Sequence, residues 1–252
     1  MTSTIPAPAP APVSLGTASF GPAGLGPALA GVELVVLDMA GTTVTDDGVV
    51  ERAFQRAAER TGVADRLPWP EALGYVRETM GQSKIDVFTH LAGGEVAAAE
   101  RATAAFEDAY AELILEGAAA PIAGAEELLQ ELRDAGVAVA LTTGFAPVTR
   151  DAILDALGWR DLVGIALSPA DAGRGRPAPD LVLTAALRAE VSAMSAVAVV
   201  GDTASDVLSG LRAGAGLVVG VLSGAHDRDR LSAAGAHAVI EDVTALRTLS
   251  LR

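Results

Sequence analysis

Six apolar runs punctuate the chain, and their spacing constrains the fold more than any other feature. They are Leu34–Leu37, Val137–Leu141, Leu162–Leu167, Ala196–Val200, Leu217–Leu222 and the shorter His237–Ile240. Most are nearly continuous in hydrophobicity, as strands covered on both faces must be. Around the later runs lie helical patterns at Ala125–Ala135, Pro147–Leu157, Asp180–Ala189 and Ala204–Ala213. Strand and helix alternate, which predicts an α/β fold with a Rossmann-like parallel sheet and right-handed crossovers.

The stretch between the first two runs differs. It has no comparable β run and reads as four helices, Glu51–Thr61, Trp69–Met80, Ser83–Leu91 and Gly94–Gly117. The expected organisation is therefore a core of residues 32–46 and 121–252, with a helical insert at 47–120. The crossings near Val44–Gly48 and Gly117–Ile122 are the expected hinges, since Gly48 and Gly117 absorb dihedral change cheaply. Residues 1–31 are rich in Pro, Ala and Gly and lack the basic start of a secretory signal. They predict a disordered leader.

The chain has 252 residues, no cysteine and a net charge of −14. The length suits one α/β domain with a smaller insert. Without cysteine there is no disulfide and no thiolate chemistry. The negative charge argues against nucleic acid or an anionic membrane as partner, and no apolar run approaches membrane-spanning length. Cytoplasm is the default compartment. Seventeen of the eighteen basic residues are Arg, and the one lysine is Lys84. Arg stays protonated, whereas a desolvated Lys can lose its proton and attack a carbonyl.

Four segments carry chemistry. The first apolar run stops at Asp38-Met39-Ala40-Gly41-Thr42-Thr43, which sets a carboxylate at the mouth of a strand, where open α/β sheets bind ligands. Leu141-Thr142-Thr143-Gly144 ends the second run with hydroxyls and backbone N–H groups suited to phosphoryl oxygens. Gly173-Arg174-Gly175-Arg176-Pro177 follows the third. Gly201-Asp202-Thr203-Ala204-Ser205-Asp206 follows the fourth. Asp38, the Ala40 carbonyl and Asp202 offer hard oxygens of the kind Mg2+ prefers. Alone, each segment also reads as a turn or a helix cap; four in order, each at the end of an apolar run, do not.

In that order the segments resemble the signatures of the haloacid dehalogenase superfamily. Ala40, and Met80-Gly81-Gln82-Ser83-Lys84 within the insert, resemble its phosphonatase branch. The resemblance covers most of residues 32–245. It implies that the insert is a cap and that Asp38 is a nucleophile toward phosphorus. It implies that Ala40 stands where phosphatases carry an acid, and that Lys84 forms a Schiff base with an aldehyde substrate. Ala40, Gly41, Thr42, Met80, Thr142, Thr143, Gly144 and Arg176 would hold the substrate or its phosphoryl group, with Arg174 the weaker alternative to Arg176. Mg2+ would bind Asp38, Ala40 and Asp202, with Thr203 and Asp206 behind them.

The implied reaction is Mg2+-dependent cleavage of the carbon–phosphorus bond of phosphonoacetaldehyde or a close relative. The implied partners are a small phosphonate or organophosphate substrate and a second copy of the chain, docked through the cap. The alternative is a phosphomonoesterase or phosphosugar enzyme in which Lys84 only binds substrate. Two departures from the branch stand out: Val87 replaces a His three residues after the lysine, and Phe145 replaces a Tyr.

Overall fold

The computed structural model describes residues 25–251. Six parallel strands form one sheet in the order β3-β2-β1-β4-β5-β6. They are β1 (Leu34–Asp38), β2 (Ala138–Thr142), β3 (Ile165–Leu167), β4 (Val197–Gly201), β5 (Leu217–Val221) and β6 (Ala238–Ile240). The third is shorter than its apolar run because Leu162 and Val163 turn back, their amides each 3.1 Å from the Trp159 carbonyl.

Ten α-helices occur among the described residues. Four lie between β1 and β2: α1 (Val49–Thr61), α2 (Trp69–Glu78), α3 (Lys84–Leu91) and α4 (Val96–Leu113). The others are α5 (Ala125–Asp134), α6 (Pro147–Leu157), α7 (Pro169–Ala172), α8 (Asp180–Arg188), α9 (Ala204–Ala213) and α10 (Arg228–Ala233). Alternate residues of the strands point to opposite faces. Val35, Leu37, Val139 and Leu141 pack with Leu128 and Leu132 of α5 and Ile153 of α6. Leu34, Val36, Val197 and Val199 pack with Leu181 and Ala185 of α8, Val207 of α9 and Leu231 of α10. Every residue of β1, β4 and β5 is buried, which explains the unbroken apolar runs.

The two crossings between the sheet and the inserted helices run side by side. Thr45 N–H donates to the Ala120 carbonyl at 2.8 Å and Ile122 N–H to the Thr43 carbonyl at 2.9 Å. Between α4 and this crossing, Ile114–Ala118 forms a loosened turn in which Gly117 takes φ 88°.

The expected disordered leader needs correction. Residues 1–24 lie outside the described residues, but residues 25–31 are built into the fold. Pro27–Leu29 form one 3-10 turn, and Leu29 is fully buried. Ala28 N–H donates to the Leu249 carbonyl at 3.0 Å, anchoring the segment to the C-terminal end of the chain. One leucine with a pocket to fill outweighs a flexible composition. Among the described residues, no helix is long and apolar enough to cross a membrane.

Candidate active site

The strand order reverses between β1 and β4, and at such a switch point the loops leaving the strands part to form a crevice. Asp38 ends β1 on one side of it. Asp202 follows β4 on the other. Both are buried, at 5% and 2% exposure. The turn after Asp38 is closed by Thr43, Oγ1 donating to the Asp38 carbonyl at 2.9 Å. Thr42 Oγ1 donates to Asp202 Oδ1 at 3.1 Å, and Ala225 N–H donates to Asp202 Oδ2 at 2.7 Å. Burial first, then the charge of Asp38, raises the Asp202 pKa well above the usual carboxylate range.

Asp206 lies in the first turn of α9. Its Oδ2 accepts the Thr203 N–H at 3.1 Å and the Thr203 hydroxyl, closing a capping box. Its Oδ1 pairs with Arg176 Nη1. The same nitrogen stands 2.7 Å from Asp38 Oδ1, so Arg176 bridges the two carboxylates. Its buried Nε has no partner among the described residues and is free to donate to an anion. Arg174, by contrast, is exposed and paired with Asp180 at 2.9 Å. Of the two arginines, Arg176 is the one that reaches the crevice.

Asp38, Asp202 and Asp206 bring carboxylate oxygens within 4.8 Å of one another. Arg176 offsets part of that charge. All three carry other contacts, Asp206 with Arg176 and Thr203, Asp38 with Arg176, and Asp202 with Thr42 and Ala225. Asp38 and Asp202 are the two that stand at the strand ends flanking the crevice. Their oxygens suit a hard divalent ion.

The inserted helices close over this mouth. The turn between α2 and α3 enters it, held by contacts too close for side chains. A Cβ at Gly81, where φ is 83°, would lie 2.6 Å from Thr203 Oγ1. A Cβ at Gly144 would meet the Gln82 carbonyl at 2.5 Å, and one at Gly175 the Ser83 Cβ at 2.8 Å. This turn delivers Lys84, the first residue of α3, into the interior at 5% exposure. Its Nζ lies 5.5, 5.6 and 5.1 Å from the ring centroids of Phe54, Phe106 and Phe145. Burial lowers its pKa to about 8, against the opposing pull of Glu107.

Asp38, Ala40, Met80, Lys84, Thr143, Gly144, Arg176, Asp202 and Thr203, all expected from sequence, line one enclosed cavity of about 20 Å³. It has room for about one water. Gly41, Thr42, Thr142 and Asp206 stand behind its wall. Thr42 is committed to Asp202, and Thr142 pairs with Asp38 across the sheet. Gly41 packs so closely on Asp202 that a Cβ would fall 2.5 Å from Oδ2.

Sequence reasoning missed several neighbours. Asp46 lines the cavity, although in the sequence it reads only as part of the expected hinge Val44–Gly48. Glu107 lies in the Ala-rich α4, which reads as bundle core. It is 8% exposed and reaches the start of α6, accepting the Ala146 N–H at 3.1 Å and the Thr149 hydroxyl. The buried stripe Ala102, Phe106, Ala109, Tyr110, Leu113 flanks it, and an acid beside such a stripe was the available signal. Of the two departures, Val87 is buried and apolar, and Phe145 joins the rings around Lys84. His90 is stacked on Tyr75, ring centroids 3.8 Å apart. His226 is buried, its Nδ1 accepting the Ala204 N–H at 2.8 Å, a helix-capping role.

Comparisons with known proteins agree with this geometry. The family model described as haloacid dehalogenase-like hydrolase matches residues 32–214. A phosphonoacetaldehyde hydrolase of Bacillus cereus is 31% identical over 217 residues, 78% of each chain. The solved structure of a hydrolase from Pseudomonas syringae is 26% identical and superposes with a TM-score of 0.72, covering 83% of this chain and 94% of its own. A phosphonoacetaldehyde hydrolase like protein from Oleispira antarctica, 24% identical, superposes with a TM-score of 0.71 over 94% and 97% of the two chains.

Proposed function

The chain belongs to the haloacid dehalogenase-like hydrolases, and we propose that it cleaves the carbon–phosphorus bond of phosphonoacetaldehyde or a close relative. One observation carries this reading. The single lysine of the sequence is buried with its amine among three aromatic rings and lines the same small cavity as Asp38. A lysine kept only for its charge would gain nothing from a site that lowers its pKa to about 8.

The steps follow from what each group can do. Lys84, deprotonated, adds to the aldehyde carbon and forms an imine after loss of water. Asp38 attacks phosphorus; the carbon–phosphorus electron pair flows into the protonated imine and leaves it as an enamine. Water then hydrolyses the aspartyl-phosphate, and enamine hydrolysis frees acetaldehyde and Lys84. No leaving oxygen needs a proton, so Ala40 can occupy the place of an acid. The Nε and Nη donors of Arg176, with the Thr143 hydroxyl and the loop at Gly144, grip the phosphoryl oxygens. Magnesium would be held by Asp38, the Ala40 carbonyl and Asp202, with Thr203 and Asp206 behind them. Its chemistry there is to offset the repulsion between a carboxylate nucleophile and an anionic phosphonate.

A cavity of about 20 Å³ does not admit this substrate. Residues 47–120 therefore act as a cap that swings on its paired crossings, with Gly48 and Gly117 at the joints. The deciding experiment is borohydride reduction in the presence of phosphonoacetaldehyde, followed by peptide mass mapping. A reduced adduct on Lys84 is expected. Phosphate release without any adduct would favour a phosphomonoesterase that uses Lys84 only to bind substrate.

A further inference from the structure

Imine formation expels water from a carbinolamine, and near neutral pH the departing hydroxyl needs a proton donor. The residues around Lys84 differ sharply in their ability to supply one. Arg176 does not release its proton. Asp38 and Asp202 are the nucleophile and the metal-binding carboxylate of the proposed reaction. Phe145, Phe54, Phe106 and Val87 carry no exchangeable proton. Glu107 lines a neighbouring pocket with Lys84, but both of its oxygens are taken by the Ala146 N–H and the Thr149 hydroxyl. The Tyr110 phenol holds its proton far above the usual range, because burial penalises its anion.

Asp46 remains. It lines the cavity with Lys84 and Asp38, and its position is fixed by the start of α1. Its carbonyl accepts the Val49 N–H at 2.6 Å, and its Oδ1 accepts the Val50 N–H at 2.9 Å. Among the described residues, Oδ2 has no partner, so one oxygen anchors the carboxyl while the other is available. The helix that anchors it also carries Phe54, one of the rings around the Lys84 amine.

We propose that Asp46 is the general acid and base for making and breaking the imine at Lys84, a role that rests on the carbon–phosphorus cleavage reading above. The neutral amine adds to the aldehyde carbon; the carbonyl π pair moves to oxygen, and a proton passes from nitrogen to that oxygen. The Asp46 carboxylic acid then protonates the carbinolamine hydroxyl. The C–O bond breaks, water departs, the nitrogen lone pair forms C=N, and Asp46 is left as carboxylate. In product release the enamine carbon takes a proton from solvent, and the Asp46 carboxylate then takes one from the water that adds to the resulting iminium, which restores the acid. Burial supports this assignment, raising the Asp46 pKa to about 6 despite the Val50 N–H and the charge of Lys84. A carboxyl so poised exchanges protons readily near neutrality.

The test is the rate at which the borohydride-trapped adduct appears on Lys84 with phosphonoacetaldehyde and Mg2+. Asp46→Asn and Asp46→Glu both retain a side-chain oxygen for the Val50 N–H. The Asn variant should form the adduct about 10²-fold more slowly, as expected on removing one general acid, while reaching the same final amount. The Glu variant should recover most of the lost rate. An Asn variant within about threefold of wild type, well short of the effect of losing a general acid, overturns the role of Asp46. So does a Glu variant no faster than Asn. Wild-type protein that yields no adduct overturns the imine reading itself, and the role of Asp46 falls with it.

Discussion

Lys84 is enclosed by Phe54, Phe106 and Phe145 at 5.1–5.6 Å, and this decides how it is best probed. Arginine keeps the charge and cannot form the imine, yet its larger head must enter a filled aromatic enclosure. Such overpacking costs about 1–3 kcal/mol. Methionine matches the lysine stem without the amine. Lys84→Met should abolish adduct formation and carbon–phosphorus cleavage, with a melting temperature at or above wild type, because a buried ammonium is removed. Comparable cleavage by either variant would end the Schiff-base reading. The pH dependence has a definite shape. The Lys84 pKa is depressed to about 8, so the neutral amine accumulates as pH rises. Because the protonated form of Asp46, with its pKa at about 6, is needed as well, the rate of adduct formation should peak between about pH 6 and 8 and fall on either side. Asp38→Asn is nearly isosteric but not nucleophilic. Steady-state turnover should fall by at least about 10³-fold, as for loss of other catalytic nucleophiles, with the fold intact by circular dichroism.

Among the elements, the turn from Gly81 to Ser83 does the most for its length. It brings the start of α3 against two core loops, at Gly144 and Gly175, and only glycine leaves room at either. The obstacle at Gly144 is the Gln82 carbonyl, part of the main chain and unable to rotate away. Gly144→Ala should therefore lift the turn and withdraw Lys84 from the cavity. Because small displacements of reacting groups cost about 10² in rate, kcat/KM should fall by about that factor. The melting temperature should move little, since α1 and α4 keep their packing. Unchanged kinetics would mean that the turn yields without disturbing Lys84. Glu107 makes a second bond between inserted helices and core, and its two acceptor contacts at the start of α6 hold α4 in place beside Lys84.

At the scale of the whole molecule, a chain of net charge −14 gathers three buried carboxylates around one guanidinium. A carboxyl whose folded pKa is raised, as for Asp202, favours the folded state while protonated. That contribution is lost as pH rises through the folded value. A divalent cation reverses the balance, because it binds the ionised form. Mg2+ should therefore raise the melting temperature more at pH 8 than at pH 5.5. At a concentration of about 100 times its dissociation constant the gain is about 2.7 kcal/mol. Asp202→Ala should remove most of this increment. An equal Mg2+ effect on wild type and variant would take Asp202 out of the ligand set.

Much of this was legible in the chain itself. Alternating apolar runs and helical patterns specified the parallel sheet, because burial on both faces demands them. The segments at Asp38, Thr142, Arg176 and Asp202 were visible because each is contiguous and ends or follows a strand. Composition singled out Lys84. What only the tertiary structure decided is which side chains share one enclosure. Asp46 precedes α1, Phe54 lies on α1, Lys84 on α3, Phe106 on α4 and Phe145 in the loop after β2, and no pattern in the sequence groups the five. Thr42 and Thr142 belong to the right motifs but turn behind the cavity wall, and Leu29 belongs to an apparently featureless leader but fills the core. Local pattern sets the period and parity of burial. Desolvation, which shifts Lys84 and Asp46 toward reactive pKa values, exists only once distant segments have excluded water from between them.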